Sequence, residues 1–171
     1  VNIKHILKSS YNKGQIVAVA NFACLNEENF KTLFHIFIGN DTRMAQMASW
    51  SLSYAVQKSP HLIQPYLKEL IEQLSKKDKH NAVIRNTVRI LQDIEIPKKY
   101  HGKLMNCCFS FIERPNTPVA IKAFSLTILF NLSTIYPEIK HELMVVIEDN
   151  LQHAAPAFKN RGNKILLQLK K

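Results

Sequence analysis

Residues 120–133, AIKAFSLTILFNLS, decide the fold once three other stretches are laid beneath them: RMAQMASWSLSYAV at 43–56, AVIRNTVRILQDIE at 82–95 and AFKNRGNKILLQLK at 157–170. Met44, Val83, Ile121 and Phe158 then share one apolar column, separated by 39, 38 and 37 residues. Four positions further on stand Ala48, Thr87, Ser125 and Gly162, all small. Four beyond those come Leu52, Leu91, Leu129 and Leu166, and a last column holds Ala55, Ile94, Leu132 and Leu169. Steps of three and four residues are the mark of a helix with one buried face, and their recurrence at a fixed longer period marks a repeated helical unit.

The small column has a physical meaning. Where two helices cross closely, a bulky side chain would hold the axes apart, while a leucine one turn on fills the space beside the crossing. Pro60, Pro97 and Pro137 punctuate the following linkers at intervals of 37 and 40 residues, which supports the period independently. Outside the aligned helices the same spacing appears in Leu62, Ile63, Tyr66, Leu67, Leu70, Ile71 and Leu74, and in Leu104, Cys107, Cys108, Phe111 and Ile112. The β-branched stretch Thr127 to Tyr136 reads as helix, because it continues the periodic run that begins at Val119.

Asp41-Thr42, Ser59-Pro60 and Thr117-Pro118 have the chemistry of helix starts, with a capping side chain and then, in two cases, a proline whose missing N–H is harmless there. The connections 75–81, 95–101 and 114–117 are short and polar, so consecutive helices must turn back on one another. A shorter unit precedes them, with helices around Gly14–Cys24 and Glu27–Ile38. The expected architecture is all-α, a stack of about four to five helical hairpins with capping ends. Residues 1–171 form one domain in this reading, with approximate repeats 1–25, 26–57, 58–96, 97–134 and 135–171.

This pattern resembles the HEAT and armadillo class of α-solenoids, and in particular short bacterial HEAT-like repeat proteins. The resemblance implies an all-α, right-handed α-α superhelix with two antiparallel helices per repeat, the first interrupted by proline as in LIQPYL around Pro65, and the second lining a concave face. Asp41, Asp78 and Asn116 fall in the turns where such repeats carry an acidic or amide residue, whereas the basic position drifts from Arg43 to Arg85 to Lys122. Solenoids of this kind serve mostly as binding surfaces for unrelated partners, so the resemblance speaks for fold more than for function.

Composition narrows the function. With 171 residues, 46% of them hydrophobic and 21% charged, the chain can bury a sizeable core, and its net charge of +10 favours acidic partners. The four glycines form neither a dinucleotide-binding nor a P-loop motif. The histidines show no zinc-protease spacing, the serines no nucleophile-elbow motif, and the signature loop of fumarase-type lyases is absent. Asp93 and Glu95, two apart on a helix, point to different faces. No catalytic residue, metal ligand or cofactor is therefore assigned. Cys24, Cys107 and Cys108 read as reduced, buried thiols. No apolar run is long enough to span a membrane, and a cytoplasmic location is expected. Val1 is not an initiator Met, which points to a few residues ahead of it.

If the four columns face the core, helix geometry at 100° per residue puts Gln46, Trp50 and Ser53 on the opposite side. The matching positions are Arg85, Arg89 and Gln92, then Ala123, Thr127 and Phe130, then Asn160, Lys164 and Leu167, flanked by Tyr54, Asp93, Asn131 and Gln168. The candidate partner-binding residues are Trp50, Tyr54, Arg85, Arg89, Asn131 and Lys164. An indole and a guanidinium on adjacent rungs can grip a planar or anionic partner by stacking and paired hydrogen bonds. The plainer alternative is that Trp50 packs on the next helix with Arg89 lying over it. Segments 1–57, 58–115 and 116–171 carry net charges of +2, +5 and +3, and no single Lys/Arg stripe emerges.

Two functions compete. The first is a noncatalytic scaffold presenting its inner helices to a protein or peptide. The second is a nucleic-acid partner, on a resemblance in architecture to HEAT-like alkylpurine DNA glycosylases, which hold duplex DNA against a basic face with aromatic and acidic side chains. Trp50, Tyr54 and Asp93 would then mimic that trio, with Arg85, Arg89 and Lys164 on phosphates. The chain is short for that family and has one Trp, so its catalysis does not carry over.

Overall fold

Four short polar side chains start the first four helices. Asn2, Asn12, Asn26 and Asp41 each accept a hydrogen bond from a backbone N–H of the first turn that follows, at 3.0, 3.0, 2.9 and 3.1 Å. Each cap satisfies a donor that the helix itself leaves orphaned. The structure, a computed structural model, describes residues 2–171. Its helices are α1 (Ile3–Ser9), α2 (Lys13–Ala23), α3 (Glu27–Ile38), α4 (Thr42–Lys58), α5 (Leu67–Glu72), α6 (Asn81–Leu91), α7 (His101–Glu113), α8 (Val119–Ser133), α9 (Lys140–Leu151) and α10 (Pro156–Leu169). There is no strand among the described residues. The β-branched run from Thr127 stays helical to Ser133.

The periodic prolines shape the approaches to the first helix of a pair. Pro60 opens a 3-10 stretch, Pro60–Tyr66, which contains Pro65, and α5 begins only at Leu67. Pro97 precedes the 3-10 turn Lys98–Tyr100 ahead of α7, and Pro137 opens Pro137–Ile139 ahead of α9. A proline lacks the N–H needed for a full helical turn, which favours these tighter lead-ins.

Ser59 and Thr117 do not act as side-chain caps. Ser59 makes no capping bond. Pro118 itself occupies the cap position of α8, its carbonyl accepting from the N–H groups of Ile121 and Lys122, while the Thr117 N–H closes back on the Arg114 carbonyl. α6 also ends four residues before the Glu95 that the pattern gave it. Carboxylates at Asp93 and Glu95 oppose the negative end of a helix dipole, and Pro97 disfavours helical geometry at Ile96.

The helices gather into two compact units, one reaching to Ile94 and the other Glu95–Lys171. In the first, α4 is the hub, packed by α1, α2, α3 and α6; in the second, α8 is the hub, packed by α7, α9 and α10. Every member of the first three columns is buried. In the fourth, Ala55 and Leu132 are buried, while Ile94 and Leu169 are only half-buried because they stand at or beyond a helix end. The hydroxyls in the small column return to their own helix: Thr87 donates to the Val83 carbonyl and Ser125 to that of Ile121, both at 2.7 Å. A Cβ on Gly162 would stand 3.0 Å from Ile147 Cγ2 on α9, which shows how closely α10 approaches.

Ser53 and Ala123, expected on the side away from the core, are buried. A hub helix is covered on more than one side, so its small residues outside the main stripe are also enclosed. Packing of this kind predicts a wide spread of mutational cost. Leu52→Ala, at a position 0% exposed, should lower unfolding free energy by about 2–5 kcal/mol, whereas Leu167→Ala, at one 68% exposed, should stay within about 0.5 kcal/mol. Urea unfolding followed by circular dichroism measures both.

Candidate functional site

The packing of α4 against α6 in the first unit sets the geometry of the candidate site. Trp50 and Arg89 occupy the same register, six residues past their column residues Met44 and Val83. The Arg89 guanidinium carbon lies 5.8 Å from the centroid of the Trp50 ring, within cation–π range. Trp50 stays 38% exposed and Arg89 is half-buried, so the pair is partly open to solvent. Among the described residues Arg89 has no carboxylate or carbonyl partner, which leaves its N–H groups available.

One turn earlier on α6, Arg85 is half-buried and close enough to Tyr11 to act on its ionisation. Burial pushes the Tyr11 phenol above its ordinary value, and the Arg85 charge opposes that shift. Tyr11, 52% exposed in the turn between α1 and α2, thus joins the site. Sequence periodicity missed it because it stands in a turn, where no register assigns a face. Tyr54 is half-buried on α4. Beyond Arg89, the later turns of α4 and α6 border a recess of about 210 Å³, lined by Ser53, Val56, Gln57, Arg89, Ile90 and Asp93 among others.

Asn131 and Lys164 are exposed in the second unit, on α8 and α10. That unit repeats the pairing of arginine with an aromatic ring. Arg161 lies 5.2 Å from the Phe124 centroid, three residues past the column in both helices, and donates to the Ala123 carbonyl at 3.1 Å. An arginine one repeat after an aromatic residue of equal register can therefore reach back over its ring. Trp50 and Arg89 do pack as neighbouring rungs, and the indole nevertheless remains exposed.

His101 is buried, with Nε2 donating to the Ile96 carbonyl at 2.7 Å and Nδ1 at 3.0 Å from the Tyr136 hydroxyl, so both ring nitrogens are satisfied. Of the three cysteines only Cys108 is fully buried; Cys24 and Cys107 are half-buried. Burial pushes the Cys107 and Cys108 thiols above their ordinary values, with the adjacent Ser125 hydroxyl opposing the shift at Cys108. Among the described residues no three His, Cys, Asp or Glu side chains converge as metal ligands, and no helix is long and apolar enough to cross a membrane.

A HEAT repeat domain model matches residues 3–169. The chain belongs to the HEAT repeat family. Its structure is also similar to the crystal structure of an engineered protein, with a TM-score of 0.61 and 16% identity over 98% of this chain and 79% of the other. That likeness concerns the fold alone. No curated protein matches the chain. As a HEAT repeat protein it is a helical repeat scaffold, of a family that is generally noncatalytic and generally mediates protein interactions.

The pairing of Trp50 with Arg89 has an optical consequence, since Trp50 is the single Trp. Arg89→Ala should uncover the indole and move its fluorescence emission to longer wavelength, while costing no more than about 1 kcal/mol of stability. An unchanged emission maximum would contradict the pairing.

Proposed function

We propose that the chain is a noncatalytic scaffold that binds an acidic protein or peptide segment on the α4–α6 face of its first unit. One observation carries this reading: an exposed indole held beneath an arginine that has N–H groups to spare, beside a recess large enough for one apolar side chain. Tryptophan and arginine are the residue types that most often anchor protein interfaces, because a rigid ring buries much area and a guanidinium makes directed hydrogen bonds. Trp50 would provide the flat contact, Arg85 and Arg89 the charge-assisted hydrogen bonds, and Tyr11 and Tyr54 the aromatic flanks. Asn131 and Lys164 are proposed as polar contacts on the second unit. The net charge of +10 supports an acidic partner and steers its approach.

Crosslinking the purified chain to its partner, followed by reconstitution with the purified partner, tests the proposal. Trp50→Ala and Arg89→Glu should each weaken the complex by at least about tenfold while circular dichroism is unchanged. Undiminished binding in both variants would remove this face from the interface. Titration of Trp50 fluorescence with duplex DNA at two salt concentrations addresses the other reading. Saturable quenching that persists at the higher salt and is lost in Arg89→Glu would establish the DNA-binding alternative instead.

A further inference from the structure

We propose that the recess between the α3–α4 turn and the start of α6 binds the diphosphate group of a small phosphorylated compound. The recess holds about 380 Å³, with Thr42, Ala45 and Val83 from α4 and α6 lining it and the turn residues Lys76, Lys77 and Lys79 around it. Lys76 and Lys77 are exposed, and their ammonium groups have no ion pair or hydrogen bond among the described residues. Lys79 is anchored, its ammonium donating to the carbonyls of Ile38 at 2.7 Å and Gly39 at 3.3 Å. Those carbonyls fix its position without neutralising it. Burial, and after it the charge of Lys76, lower the Lys79 pKa.

His80 also lines the recess. Its Nδ1 accepts from the Ala82 N–H at 3.0 Å, so the neutral ring carries its proton on Nε2. The first turns of both neighbouring helices are already capped, α4 by Asp41 and α6 by His80, so the attraction comes from the lysines rather than from free helix ends. Three lysines against Asp78 give the recess a net charge of +2, which suits a compact anion of two or three charges.

The second unit provides an internal comparison. Between the α7–α8 turn and the start of α10 lies a recess of about 360 Å³, with Phe158 in the place of Val83. There Lys122, Asp149 and His153 replace the lysine cluster, so charge is mixed. Repeat geometry makes the hollow, and the turn Lys76–His80 gives one copy its sign. A small ligand is favoured over a polymer because carboxylates interrupt the basic surface. Asp78 borders this recess, and Asp41 stands with Lys4 and Lys8 around the hollow on the other side of Gly39.

The test is a titration of the full chain with inorganic pyrophosphate at constant ionic strength, followed by ¹H–¹⁵N spectra. Saturable shifts at Gly39, Asn40 and Lys76–His80 are expected, with the residues around Lys122 and His153 unmoved. The double variant Lys76→Ala, Lys77→Ala should bind at least about tenfold more weakly. Should that variant lose its circular dichroism signal, Lys77→Glu alone is read in its place and the same loss is required. The proposal is overturned by the absence of saturation, by equal shifts in both recesses, or by undiminished binding in the variant. It is equally overturned if pyrophosphate is silent and only an oligonucleotide gives saturable shifts, which would assign the surface to nucleic acid.

Discussion

Ser125 on α8 stands against Cys108 of α7, and Gly162 on α10 stands against Ile147 of α9. At both places the helix axes come close because the residue between them is small, and a polar small residue is tolerated because its hydroxyl bonds to its own helix. Thr87 and Ser125 do this at the same register, and Ser49 does it on α4 by donating to Ala45 at 2.8 Å. Such hydroxyls are buried without an unmet hydrogen bond, so the crossing keeps its small size at little polar cost. The leucine column one turn further then closes the space. From this follow the parallel setting of α4 and α6, the reach of Arg89 over Trp50, and the recesses at either end of the α4–α6 seam.

Charge is distributed differently from apolar packing. The ion pair of Lys170 with Glu148, at 3.3 Å and with both side chains half-exposed, contributes little to stability. Arginines near an aromatic ring are held in place, as Arg89 and Arg161 are, while turn lysines such as Lys76 and Lys77 remain free. The two kinds of basic residue make two kinds of surface, one suited to directed hydrogen bonding and the other to a diffuse positive field.

The columns were legible in the sequence because burial in a helix repeats every three to four residues and the repeat itself displays the pattern four times. Trp50 and Arg89 could be placed on adjacent rungs for the same reason. What escaped the pattern lies where periodicity carries no information. Tyr11 reaches the site from a turn, and the recess at Lys76–His80 depends on the path of a loop. A single-face description of a helix turns Ser53 and Ala123 outward because it ignores the helix's second neighbour, whereas α4 and α8 are covered from several sides. The early end of α6 was readable in principle from Asp93, Glu95 and Pro97, which disfavour helix where the apolar spacing alone would extend it.

The central claim is that small residues at the crossing allow these helix pairs to stack. The most direct measurement compares urea unfolding of Ser125→Leu with that of Thr127→Leu, two residues away on α8 and half-buried. The account predicts that the first loses at least about 1–3 kcal/mol through overpacking and the second changes by less than about 0.5 kcal/mol. Equal tolerance of leucine at both positions would contradict it.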